Sequence, residues 1–135
     1  MLNDLHSAAV EAARALIMAR AREGRHHVAA TVVTRSGASY TAVNTDCILG
    51  RAAICAEAIA LGMACAAEEG AEVAFVCAVN RRLVVIPPCG VCRELLIDYG
   101  HSALVAVPRE EGLRFDVRPL AELLPEAYKT GLRGV

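Results

Sequence analysis

The stretch "VVIPPCGVCRELL", Val84 to Leu96, runs from β-branched residues through two prolines into a Cys-x-x-Cys pair and on into a helical pattern. Proline has no amide hydrogen for a strand ladder and is well tolerated in the first turn of a helix, so a strand must end here and a helix begin. Two thiols, Cys89 and Cys92, therefore fall at the head of a helix. A second segment has the same character: "CAE", Cys55 to Glu57, lies near the start of the helical stretch "AAICAEAIALGMACAAEEG", which closes at Gly70. Any fold for this chain has to place two helix starts that carry reactive side chains.

The remaining pattern surrounds these two helices with strands. "NDLHSAAVEAARALIMARA" puts Leu5, Ala9, Ala12, Leu16 and Ala19 on one face, with Asn3 or Asp4 as a cap, and predicts a helix. "HHVAATVVT" and "SYTAVNT" are β-rich and separated by "RSGA", where Gly37 supplies turn chemistry for a hairpin. In the middle helix Ile54, Ala58, Leu61 and Cys65 form a stripe, and nearly every other face is apolar too, so it is expected to be covered on several sides. "EVAFVCAV" is a strand, "RLVVI" a short extension, "CGVCRELLIDYG" a helix closed by Gly100, "ALVAV" and "LRFDV" further strands, and "PLAELLPEAYK" a short helical tail. The order α-β-β-α-β-α-β-β-α predicts an α/β sheet with helices on both faces, joined partly by hairpins and partly by crossovers. With no repeat and no Pro/Gly-rich linker, residues 1–135 form a single expected domain.

Composition narrows the partners. The chain is 56% apolar but only 21% charged, lacks Trp, and carries a net charge of -1 with scattered basic residues. That excludes the electrostatic footprint of a nucleic-acid polymer, though a nucleoside would need none. There is no basic segment leading into a long apolar run, and no apolar stretch approaches about 18 residues, so a soluble, cytoplasmic protein without a membrane partner is expected. Six cysteines, at 47, 55, 65, 77, 89 and 92, then imply reduced thiols serving a metal or a reaction.

Residues i and i+3 share a helix face, so Cys89 and Cys92 can grip one ion. Cys55 and Glu57 point roughly 200° apart on a helix and can serve one site only at its end, where the first turn wraps the axis. There the helix dipole favours thiolates. Three thiolates on Zn²⁺ would leave a fourth position for water, the mark of a catalytic site, and Glu57 could move that water's proton. Two other readings stand beside this one: a Cys89/Cys92 redox couple, and a structural zinc completed by Cys47, His26 or His27. Both leave Glu57 without a task. Cys65 and Cys77 read as core residues, His6 and His101 as surface residues, and Asn44 and Asp46 could simply cap a strand end. His26 and His27 alternate at a strand start, so at most one should face a pocket.

"CAE" followed by "PCGVC", Pro88 to Cys92, is the ligand-x-Glu and Pro-Cys-x-x-Cys pattern of zinc deaminases. The Cys-first form in so short a chain resembles the small homotetrameric cytidine deaminases and the related blasticidin S deaminases. The likeness runs from the first helix through the hairpin ending "AVNTD" to the tail "AELLPEAY". It implies a three-layer α/β/α sandwich with a mixed five-stranded sheet, a homotetramer, and a place in pyrimidine salvage. It further implies Cys55, Cys89 and Cys92 as ligands of a Zn²⁺ cofactor and Glu57 as the catalytic proton shuttle. The Ala56 backbone would meet the base, Asn44 a ribose hydroxyl, and Tyr128 the base bound by a neighbouring subunit. Three positions depart from the family: Asp46 replaces a glutamate that contacts ribose, His26 a stacking phenylalanine, and Ala58 an arginine that bonds the thiolates, leaving Arg51 or Arg93 to supply a cation. The expected activity is hydrolytic deamination of cytidine, deoxycytidine or an analogue. A modified or non-nucleoside amino-heterocycle is the alternative, and a non-catalytic zinc-binding protein a further one.

Overall fold

The computed structural model describes residues 3–110 and 113–129. Asn3 opens the first helix, α1 (Asp4–Arg20), by accepting the His6 amide on its side-chain oxygen at 3.0 Å, which satisfies a donor that helix geometry leaves open. The buried face of α1 is His6, Ala9, Val10, Ala13 and Ile17, rotated from the expected stripe, and Leu5 and Ala19 are exposed. Alanine fits on either face of a helix, so the larger Val10 and Ile17 decide which side enters the core. His6 enters with them, its ring stacked on Phe75 at a centroid distance of 4.3 Å, and is buried rather than on the surface.

The hairpin forms as expected. β1 (Val28–Thr34) and β2 (Ser39–Val43) pair antiparallel, and Gly37 in the turn has φ of +91°, a region that L side chains rarely enter. β3 (Val73–Asn80) pairs antiparallel with the other edge of β1. The short β4 (Val85–Ile86) pairs with Ala78 and Val79 of β3. β5 (Leu104–Pro108) runs parallel to β3 at Phe75 and Val76, and β6 (Phe115–Pro119) closes the sheet antiparallel to β5. The path β2-β1-β3-β5-β6 is the five-stranded mixed sheet, and β4 makes a sixth strand by taking the end of β3 that β5 leaves open.

Strand alternation sorts the side chains into two cores. Ala29, Val33, Phe75, Cys77 and Val79 face α1. Val32 and Val76 face the other side, where they meet Ala60, Leu61 and Ala64 of α2 (Ala56–Ala67) and Leu96 and Ile97 of α3 (Gly90–Tyr99). The architecture is therefore three-layered, with α1 on one face and α2 and α3 on the other. Because β1 and β3 are covered on both faces, their sequences read as continuous apolar runs.

Three local expectations change. Helix α2 starts at Ala56, after a 3-10 turn at Gly50–Ala52, and it buries Ala56, Glu57, Ala60, Leu61 and Ala64. Cys65 is exposed with Gly62, Met63 and Ala66, so within one chain α2 is covered on one side only. The tail is a single 3-10 turn, Leu120–Leu123, because Pro125 keeps the residue before it out of helical conformation. Among the described residues no helix is long and apolar enough to cross a membrane.

Gly100 follows α3 but does not adopt a left-handed cap, since its φ is -170°. It is glycine because a Cβ would strike the Val73 carbonyl oxygen and come within 3.0 Å of the Val73 Cβ. Gly100→Ala should therefore force α3 away from β3 and lower stability by about 1–3 kcal/mol, measured by denaturant unfolding.

Candidate active site

Cys55 and Cys89 occupy the same structural position. Each is the N-cap of its helix, α2 or α3, with extended backbone, and neither uses its side chain to cap an amide. This place usually falls to Ser, Thr, Asp or Asn, whose oxygen satisfies a helix amide. Sulfur leaves those amides to act as a positive end close to the thiols. The two caps converge, with Cys55 Sγ and Cys89 Sγ 3.7 Å apart. Cys92, on the first turn of α3, completes a group whose three sulfur atoms lie within 4.8 Å of one another. Tetrahedral zinc with Zn–S near 2.3 Å separates its sulfurs by about 3.8 Å, so this group is able to hold a metal ion.

The surroundings of the thiols support the same reading. Burial drives Cys55 upward, the Cys92 thiol partly relieves it, and Cys89 raises it further. Burial, with the charges of Glu57 and Cys55, pushes Cys92 far above the ordinary thiol range. Cys89 differs: burial also opposes its ionisation, but hydrogen bonds from the Cys92 amide and from the Cys55 and Cys92 thiols outweigh that and bring it below its usual value. Of the three thiols, Cys89 is thus the one whose ionisation its surroundings favour most. A dication is what permits all three to ionise, at the expense of released protons.

Glu57 is the next residue but one after Cys55, and only 5% exposed. Burial raises its carboxyl above the ordinary 4.5, with its own backbone amide pulling the other way. The structure places it, with Cys55, Ala56 and Cys89, in the wall of a cavity of about 360 Å³. His27, Val28, Asn44, Asp46, Ile54 and Pro87 are among the other residues that line it. A larger hollow of about 520 Å³, between α3 and the tail near His101 and Lys129, contains none of these groups.

This arrangement separates the readings left open by sequence. Among the described residues no fourth Cys, His, Asp or Glu joins the three sulfurs, and the Cys47 thiol instead donates to the Leu49 carbonyl at 3.0 Å. A closed structural zinc therefore lacks its fourth ligand. Cys77, facing α1 on the far side of the sheet, is a core thiol whose pKa burial pushes up to about 12.

The cytidine and deoxycytidylate deaminase zinc-binding region matches residues 3–107. The chain belongs to this family. It is 32% identical over 126 residues to the blasticidin-S deaminase of Bacillus cereus, spanning 88% of this chain and 89% of that protein. Its fold superposes on cytidine deaminase from Burkholderia pseudomallei with a TM-score of 0.76 and 31% identity, over 91% of this chain and 98% of that one. Cytidine deaminase from Bacillus anthracis gives 0.73 and 25% identity, over 93% and 90%.

The other positions singled out in the sequence fall in and around this cavity as follows. His27, not His26, lines the cavity. His26 is held by a backbone bridge to Arg22, and its ring Nδ1 lies 2.8 Å from the Asn44 carbonyl oxygen. Alternation allowed one of the pair to face inward; the bridge at Arg22, formed outside any named strand, decides which. Asn44 is 7% exposed, and its Oδ1 accepts the His27 and Val28 amides at 2.8 and 3.0 Å. Asp46 accepts the Cys47 amide on Oδ1 at 2.8 Å and faces the cavity. Tyr128 is 76% exposed and takes no part in the cavity of its own chain. Arg51 is exposed, whereas Arg93 donates to the Pro88 carbonyl at 2.7 Å and to the Leu123 carbonyl at 3.1 Å. Sequence offered Arg93 as a possible cation for the thiolates; its guanidinium instead fixes the peptide just before Cys89.

The raised Glu57 has a consequence for the metal-free chain. A carboxyl held above its unfolded value of 4.5 binds its proton more tightly when folded, so this stabilisation is complete below that pH and lost as pH rises through the folded value. Metal-free Glu57→Gln should therefore melt above metal-free wild type near neutrality, and the difference should vanish below about pH 4.5.

Proposed function

We propose that this protein hydrolytically deaminates an aminopyrimidine nucleoside, cytidine, deoxycytidine or an analogue, releasing ammonia. The observation that carries the reading is a buried carboxylate, Glu57, in one cavity wall with thiols from two converging helix starts. Zinc held by Cys55, Cys89 and Cys92 would supply a Lewis acid and an acidified water. Glu57 accepts a proton from the attacking water and delivers it to the ring nitrogen next to the aminated carbon. It then passes the second proton to the amine, so that a C–O bond replaces the C–N bond and ammonia departs. A carboxyl raised by burial suits both halves of that relay. Ala56, the first residue of α2, has an amide without a helical partner, which is available to the carbonyl edge of the base.

The cavity has the volume expected of a small-molecule site, and among the described residues no Lys or Arg lines it. That favours a nucleoside over a nucleotide, whose phosphate would lack a counter-charge. The similarity to a blasticidin-S deaminase, with Ala58 in place of the family arginine, supports a second reading in which the base carries a modified sugar or none. Ammonia release from cytidine, deoxycytidine, blasticidin S and free cytosine, compared in parallel, separates the two. Metal retention without ammonia release from any of them would leave a zinc-binding protein. Glu57→Gln should retain zinc and lose about 10²–10⁴ in kcat.

The same reading makes the protein a homotetramer. The exposed side of α2, with Gly62, Met63, Cys65 and Ala66, and the exposed Ile48 and Leu49 beside the cavity are apolar surface suited to subunit contact. Tyr128, 76% exposed and outside the lining of its own cavity, is placed on the surface where a neighbouring subunit would pack. Six free cysteines suit a reducing cytoplasm, and uridine-type products suit pyrimidine salvage. Light scattering should give a tetramer, and Tyr128→Ala should raise KM by about tenfold at unchanged zinc content.

A further inference from the structure

Each of the two cysteines that start a helix is gripped by the carbonyl groups on either side of it. At Cys55 the main chain does the gripping. The Ile54 carbonyl accepts the Thr45 amide at 3.0 Å, the Thr45 carbonyl accepts the Ile54 amide at 2.9 Å in return, and the Cys55 carbonyl accepts the Ile59 amide at 3.3 Å. The two peptide planes that meet at a Cα set its φ and ψ, and with them the direction of the Cα–Cβ bond. With both planes anchored, the Cys55 sulfur keeps only its χ1 rotation.

Cys89 cannot be held by the same device. Pro87 and Pro88 precede it, so the chain reaches α3 through two successive residues that have no amide to give to a neighbouring segment. The Pro88 carbonyl accepts instead from Arg93 Nε at 2.7 Å, and the Cys89 carbonyl accepts the Arg93 main-chain amide at 2.9 Å. A single residue therefore holds the peptide on each side of Cys89. Its guanidinium is fixed in turn from outside α3, because Nη1 donates to the Leu123 carbonyl at 3.1 Å. The group is planar and the side chain half-buried, so the bond to Leu123 sets the angle at which Nε meets Pro88.

We propose that Arg93 is a positioning residue of the metal centre: it aims the Cys89 thiol at the sulfurs of Cys55 and Cys92, and does with a side chain what the Thr45–Ile54 bridge does for Cys55. This inference rests on the three thiols holding zinc, but not on the reaction that follows. Arg93 acts through the geometry of two hydrogen bonds and not through its charge, so lysine is no substitute for it.

Zinc affinity, measured by competition with a chromophoric chelator, tests the assignment apart from turnover. Arg93→Met should weaken zinc binding by about 10–100-fold, the usual cost of removing a group that orients a ligand. Loaded with cobalt, the same variant should show a weaker thiolate-to-metal charge-transfer band per bound ion than wild type. Arg93→Lys keeps the charge but can meet only one of the two carbonyls, so it should regain part of the affinity and not all of it. Ile17→Val loosens the core under α1, on the opposite face of the sheet from the thiols, and should bind zinc as wild type does. Wild-type zinc affinity in either Arg93 variant would overturn the proposal, as would an equal loss in Ile17→Val. If Arg93→Met does not fold, Arg93→Lys decides alone. A wrong assignment of the metal site would show differently, as full zinc affinity in Cys89→Ala. Absence of ammonia release from every amine would count against the deaminase reading alone, because zinc binding requires no reaction.

Discussion

Three sulfur atoms held within 4.8 Å of one another are an electrostatic problem before they are a metal site. Each ionised thiol raises the cost of the next, and Glu57 adds a fourth negative group to a region partly closed to water. The fold answers with two helix N-termini, since Cys55 and Cys89 cap α2 and α3 without satisfying their amides. A divalent cation does the rest. The sheet exists, from this point of view, to bring those two helix ends together: β1 and β3 support α2 from below, and β4 delivers the chain through Pro87 and Pro88 to the start of α3.

The use of backbone dipoles in place of a side-chain cation has an electronic side. With Ala58 after the buried carboxylate of Glu57, no guanidinium withdraws density from the thiolates at that position, and Arg93 is committed to two carbonyl groups. Outer-shell donors tune a metal through its ligands, and here the donors nearest the sulfurs include the amide of Cys92 acting on Cys89. Such an amide cannot be exchanged by mutation as a side chain can, so the charge balance of the thiol cluster is written into the turn geometry.

Legibility in the sequence followed how local each feature is. The zinc-type cluster was readable because helix-start spacing and proline punctuation fix Cys55, Cys89 and Cys92 without reference to the rest of the chain. The sheet order was largely readable because hairpin and crossover lengths leave few alternatives. The buried face of α1 was not, because alanine carries too little contrast, and only contact with Phe75 shows that His6 points inward. The exposed Cys65 was missed for a related reason: an all-apolar helix does not say which side its own chain will cover. His27 and His26 differ by one register step, and the choice rests on a backbone bridge to Arg22 that no periodicity announces.

Arg93 joins two carbonyl groups that are distant in sequence, that of Pro88 just before its own helix and that of Leu123 thirty residues after Arg93 itself. A guanidinium is planar and stiff, so these two oxygens behave as points on a single rigid plate. The plate sits one peptide before Cys89 at one end and at the 3-10 turn Leu120–Leu123 at the other. The turn at Leu120–Leu123 is thereby tied to the peptide that precedes one of the three sulfurs, although it contributes no atom to the thiol cluster.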